Sequence, residues 1–367
     1  MVPHIRGILG EKDITVEFIE SLIARVSETD ADVPAAVRLM PGFIDMHCHG
    51  AVGFDVNTAD ADGLERIGRF LASKGVTAWL PTIVPDSDDA YERVIGAVNE
   101  AVARQQNVPI AQIAGVHYEG LWASERMCGA LHPQYFRSAD DPSNLPRPEQ
   151  GVVMTTLAPE IGGGIELIRR LRDLGWIVSI GHTQADADIL EQAFDAGARH
   201  LTHFFNAMTG IHHRELGVAG WGLAKDGVTF DIIADGVHVH PSIVSIACRA
   251  KGGAGVSLIS DSVAPTGLGD GEFKLWGETI TVTDGSTRNE RGSIAGSVIT
   301  MYDAVIRMLE LGFDFSEAAA MAASNPASVL GLEAERGAIA AGKRADIVLL
   351  NDDRSIAAVY IGGQLAA

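Results

Sequence analysis

Histidines and carboxylates of the kind that bind metal stand at the ends of short apolar runs that recur at intervals of roughly 30 residues. Phe43-Ile44-Asp45-Met46 leads into His47 and His49, and the run 113–118 leads into Glu119. The run 176–180 is followed by His182, Leu201-Thr202 by His203, and the run 256–260 by Asp261. Side chains alternate with period two along a strand, so His-x-His sets both imidazoles on one face. Alone, that pair suits a metal or a hydrogen-bonded core equally well. A carboxylate, two further histidines and an aspartate at matching positions of other runs make it a metal set. Nitrogen and carboxylate donors without a thiolate suit zinc, or iron or manganese. Such an ion polarises a carbonyl oxygen and lowers the pKa of water. A rim carboxylate, here Asp261, can take and return a proton. Together these are the parts needed to hydrolyse an amide, an ester or a related bond.

For residues so far apart in sequence to meet, something must gather them. The remaining runs are 76–80, 152–157 and 228–234, and helical patterns intervene at 61–74, 89–104, 164–174 and 186–196. Strands alternating with helices predict a parallel sheet. Eight repeats predict an α/β fold, a distorted (β/α)8 TIM-like barrel, whose strand C-termini share one mouth. Its span is read as 41–334. Residues 1–40 and 335–367 are expected to form a small β-domain from the two termini, with a strand at Ile14-Thr15-Val16, a helix over 17–26, and strands over 345–350 and 356–361. Period-two alternation puts His117 on the face of Glu119 and His200 on the face opposite His203, where a structural role is expected. Cys48 points away from His47 and His49 and reads as core.

The 367 residues, 47% of them hydrophobic and with 41 glycines, fit a globular enzyme rather than a fibrous or disordered chain. A formal net charge of −20 argues against nucleic acid or an anionic membrane as partner, so an anionic substrate would need a local cationic patch. Three scattered cysteines make no disulfide framework, and residues 1–13 lack the long apolar stretch of a signal peptide. A cytoplasmic location is expected.

Longer motifs add a resemblance. The segment Pro41-Gly42-Phe43-Ile44-Asp45-Met46-His47-Cys48-His49-Gly50 is similar to the opening metal motif of the amidohydrolase superfamily. Gly115-Val116-His117-Tyr118-Glu119-Gly120, Gly181-His182-Thr183 and Thr202-His203-Phe204-Phe205-Asn206-Ala207-Met208 resemble the glutamate and histidine motifs of its N-acetylglucosamine-6-phosphate deacetylases. His212-His213-Arg214-Glu215, Asp235-Gly236-Val237-His238 and Ser260-Asp261-Ser262-Val263-Ala264-Pro265 resemble that family's phosphate-binding, substrate-contacting and catalytic-aspartate segments.

The resemblance implies roles. Glu119, His182 and His203 would hold a main divalent metal, expected to be zinc, with Fe2+ or Mn2+ as options, and His47 and His49 a second. Asp261 would be the general acid/base. Asn206, Ala207, His238 and Arg214 would grip a phosphosugar, and His213 reads either as a phosphate contact or as a solvated loop histidine. A homodimer is implied, because the Arg214 segment of the family crosses between subunits. The chain departs from the pattern where the family reads Gly-Ala-His-x-Pro with a substrate-contacting histidine, since here the stretch is Gly129-Ala130-Leu131-His132-Pro133. Leu121 and Trp122 also follow Gly120 in place of proline and an aromatic. Either His132 takes the missing role, the assistance is dispensable, or the substrate is a different N-acyl amino sugar or cyclic amide. A non-catalytic sugar-phosphate sensor is the remaining reading.

Overall fold

A parallel strand covered on both faces is largely apolar on both, and the first three runs are buried at every strand position of Phe43–Cys48, Val76–Ile83 and Gly115–Trp122. In the computed structural model, which describes residues 3–29, 35–139 and 142–367, these strands continue in sequence order. Val152–Leu157, Ile177–Ile180, His200–Leu201, Thr229–Ile233 and Val256–Ile259 complete a parallel sheet of eight, each strand beside its sequence neighbour. A short strand, Gln112–Ile113, pairs alongside the second. The third run therefore splits, and its main strand extends beyond Glu119 to Trp122.

The barrel closes at its mouth. The first and eighth strands meet where the Asp261 amide donates to the His47 carbonyl (2.9 Å) and the Ser260 hydroxyl donates to the Asp45 carboxylate (2.6 Å). A bridge between Cys48 and Ser262 continues the join. Burial pushes the Asp45 carboxyl up to about 6 against the hydrogen bonds from Ser260 that favour its charge. Intervening helices cover the outside. Ala61–Ser73 is capped by Asp60 and buries Leu64, Ile67 and Leu71, and Asp88–Arg104 is capped by Ser87; such caps satisfy the free amides of a first turn. No helix among the described residues is long and apolar enough to cross a membrane.

The two termini share a second sheet of seven strands. Ile347–Leu350 runs antiparallel to Arg38–Pro41, joining Ile356–Ile361 and Gln364–Leu365 on one side to His4–Leu9, Lys12–Ile19 and Leu22–Glu28 on the other. Its core of Val16, Phe18, Ile23, Leu39 and Ile347 is separate from that of the barrel. The helix expected over 17–26 is absent. That stretch is a hairpin whose turn places Glu20 at φ 54°. Apolar residues at Phe18, Leu22, Ile23 and Val26 mimic a helical period. Pairing on both sides of Lys12–Ile19 and burial of Ile14, Val16 and Phe18 on one face decide for the strand.

One element was not anticipated. After the eighth strand the chain forms a three-stranded antiparallel sheet, Gly271–Leu275, Glu278–Thr283 and Ser286–Asn289. Both of its turns are two-residue loops with positive φ throughout, Trp276-Gly277 (52° and 79°) and Asp284-Gly285 (49° and 73°). That is the backbone twist tight hairpins favour.

Candidate metal centre and active site

The strand ends deliver their candidate residues through strained turns. His182, His203 and Asp261 have φ of 49°, 35° and 50°, a region costly for residues with a Cβ, at about 1–3 kcal/mol each. Each turn is held by hydrogen bonds. Asp231, from the seventh strand, accepts from the His203 amide at 2.5 Å and from His200 Nε2 at 2.9 Å, which gives His200 its structural role. The Ser124 amide donates to the His182 carbonyl (2.9 Å) and the Ser297 amide to that of Asp261 (2.7 Å). Glu119 precedes a register break in the third strand, at Gly120 with φ 73°.

Two clusters result: His47, His49 and Asp261, and Glu119, His182 and His203. Within the second, the Nε2 atoms of His182 and His203 are 3.1 Å apart and each lies 3.0 Å from Glu119 Oε1. In the first, the Nε2 atoms of His47 and His49 are 3.0 Å apart, and Asp261 Oδ1 is 3.4 Å from the former and 3.3 Å from the latter. Glu119 joins the clusters through Oε2, 3.3 Å from His49 Nε2.

The donor set fits divalent cations. His182 Nδ1–H donates to the Met127 carbonyl (2.8 Å) and His49 Nδ1–H to that of Thr82 (3.2 Å), so each Nε2 presents a lone pair to the centre. This is the outer hydrogen bonding that metal-binding histidines use. Buried lone pairs facing one another at this range require protons or a cation between them. His117 lies below, donating to the Met46 carbonyl (3.0 Å) and accepting from Thr156 (2.7 Å); burial and the nearby His47 hold it well below the usual histidine range, so it is neutral.

Without a cation, protons take its place. Burial opposes charge on His49, but its bonds to Asp261 and Glu119 win and push it up to about 10. His203 also rises against burial, through Glu119. Burial works against ionised Glu119 as well, yet His47, His182 and His203 hold it well below the carboxylate range, and His47 and His49 lower Asp261 likewise. The signs define a window. The histidine contribution to stability is complete below the ordinary value of 6.5 and is lost as pH rises through about 10. The carboxylate contribution is present above the ordinary values of 3.8 and 4.5 and is lost on acidification. Metal-stripped protein should therefore lose thermal stability from pH 6.5 towards 10, and added zinc should restore more at the alkaline end. Melting curves with chelator and with zinc test this, and a flat profile in stripped protein would contradict the proton assignment.

A cavity of about 330 Å³ opens over the clusters. Of the residues singled out from sequence, His49, Glu119, His182, His203, Asn206, Ala207, His238 and Asp261 line it, with His47 fully buried beside them. His238 gives its Nδ1 proton to Asp235 (2.7 Å), leaving Nε2 available to a ligand. His132 is not part of the wall; Leu131 is. His213 and Arg214 are exposed on a loop and do not reach the cavity within one chain. Sequence reasoning missed Trp276 and Arg288, which the three-stranded sheet brings to the wall. Their signal was the strand-like alternation around Trp276-Gly277 and Asp284-Gly285. Among the described residues Arg288 is the one lysine or arginine in the lining, within a chain of formal net charge −20.

A parallel barrel with paired histidine–carboxylate clusters and an aspartate at its mouth is the apparatus of a metal-dependent hydrolase. The chain belongs to the amidohydrolase family, whose pattern its residues 38–366 match. It is 34% identical to the N-acetylglucosamine-6-phosphate deacetylase of Bacillus subtilis, over 92% of this chain and 86% of that one. It is 35% identical to the N-acetylgalactosamine-6-phosphate deacetylase of Escherichia coli O157:H7, over 97% and 93%. The crystal structure of N-acetylglucosamine-6-phosphate deacetylase from Thermotoga maritima superposes with a TM-score of 0.89 at 30% identity, covering 100% of this chain and 99% of its own.

Proposed function

We propose that this enzyme hydrolyses the acetamide of N-acetylglucosamine 6-phosphate, releasing acetate and glucosamine 6-phosphate. The observation that carries this is Asp261, an acidic side chain held at 3.3–3.4 Å from two ligand-type imidazoles at the floor of the cavity. Glu119, His182 and His203 would hold a divalent metal, with a second site at His47 and His49, and the bound ion would supply Lewis acidity and a lowered water pKa; zinc is the ion these donors suit best. Asp261 starts ionised, accepts a proton from the attacking water, and returns it to the nitrogen as the carbon–nitrogen bond breaks, so that a neutral amine leaves. Asn206 and Ala207, at the turn after His203, with His238, hold the sugar and its phosphate. This reading treats residues 41–334 as the catalytic unit and 1–40 with 335–367 as its supporting β-domain.

The phosphate needs cationic charge. Arg288 is in the wall, and we assign Arg214 to the cavity of a second copy in a homodimer. Exposed Ile211 and Leu216 flank Arg214, and exposed Ile243 and Ile246 lie on Pro241–Lys251, a helix packed against the neighbouring Gly217–Ala224. Such apolar exposure favours an interface. The deciding assay is acetate release by zinc-loaded protein from N-acetylglucosamine 6-phosphate, its galacto epimer and the unphosphorylated sugar. Arg214→Ala should raise KM for the phosphorylated substrate at least ~10-fold, as for one charge-assisted hydrogen bond lost, with a smaller change in kcat. An equal loss on the unphosphorylated sugar would remove Arg214 from the phosphate site.

A further inference from the structure

The cavity wall is divided by polarity. Beyond His203 its polar side chains are those of Asn206 and His238. Leu131 and Trp276 supply large apolar side chains, Trp276 against His49, while Arg288 and Ser293 add further polar groups to the lining. The Trp276 indole meets the His49 ring edge-on at 5.3 Å and donates to the Asp55 carboxylate at 3.1 Å, which pins the hairpin turn over the metal ligand. Leu131, 3% exposed, packs with Val84, Ala123, Phe136 and Trp276. It also fills the space above Gly120, next to Glu119, where a Cβ would collide with it. Arg291 ties this hairpin to the Leu131 loop by donating to the Ala130 carbonyl at 2.8 Å. The apolar side is therefore a fixed surface.

We infer that Leu131 and Trp276 form the acyl subsite and set which acyl groups the enzyme removes. The inference rests on the deacetylase reading. An amide carbonyl carbon placed beside Asp261 carries two substituents, the nitrogen leading to the sugar and the acyl tail. Sugar hydroxyls and phosphate need the polar wall, because buried polar groups without partners are costly. The tail is left to the wall of Leu131 and Trp276. Leucine offers no hydrogen bond, so this wall favours a short apolar tail and disfavours a hydroxylated one.

The test compares kcat/KM for the N-acetyl, N-propionyl, N-butyryl and N-glycolyl derivatives of glucosamine 6-phosphate. Wild type should prefer acetyl over glycolyl by up to about 100-fold, the most an apolar pocket extracts against one hydroxyl. Leu131→Ala should raise the propionyl-to-acetyl ratio about 10-fold or more, the scale of one methylene in such a pocket. Leu131→His should raise the glycolyl-to-acetyl ratio. Leu131→Val, a smaller change, should shift the length preference in the same direction and guards against misfolding of the others. Because each readout is a ratio within one protein, general damage to the site leaves it unchanged. Acetyl hydrolysis with all ratios as in wild type would overturn the acyl assignment while the deacetylase reading stands. Wild-type protein that hydrolyses none of the four would overturn both.

Discussion

Asp261→Asn should keep its metal and lose turnover by ~10³-fold or more, within the range that positioned general acid–base groups contribute. The substitution preserves shape, and the backbone of residue 261 stays bonded to His47 and Ser297. What disappears is the capacity to hold a proton between attack and departure. Glu119, His182 and His203 are untouched, so metal content measured by mass spectrometry should stay at the wild-type level. Since the step lost is proton transfer, kcat should fall with little change in KM. A variant with a tenth of wild-type kcat would remove Asp261 from the proton path.

Glu119→Gln should be as damaging for a different reason. Its Oε1 lies 3.0 Å from both His182 and His203, and its other oxygen reaches His49. An amide places a neutral group there. Metal affinity should fall by more than the ~10–100-fold typical of losing an outer hydrogen-bonding partner, because a direct ligand is removed. Turnover at limiting zinc should fall with it. The same variant should flatten the alkaline stability loss of the metal-free protein, since Glu119 helps push His49 up to about 10. Competition with a chromophoric chelator reads the first effect and melting curves the second. Wild-type zinc affinity in Glu119→Gln would mean that the histidines alone hold the ion.

Several of these features could be read without coordinates because they are local. Strand runs with ligands at their ends, the His-x-His alternation around Cys48 and the His117–Glu119 face all depend on period two, a property of the backbone itself. The helical patterns at 61–74, 89–104 and 186–196 are likewise local, and the helices begin after Asp60, Ser87 and Asp186, which cap them. The hairpin at 12–28 defeated the same logic because its apolar spacing fits two periods, and only neighbouring strands choose between them.

What sequence by itself determined is the chemistry: which side chains can bind metal, which can carry a proton, and that a barrel would assemble them. Tertiary structure decided the distances and the walls. The turns at His182, His203 and Asp261 adopt backbone angles that sequence does not announce, because Asp231, Ser124 and Ser297, remote in the chain, supply the bonds that hold them. The packing of Leu131 against Trp276, with Trp276 against His49, arises the same way. A loop after the third strand and a hairpin after the eighth become neighbours only when the barrel closes, and contacts between such distant segments leave no periodic trace in either one.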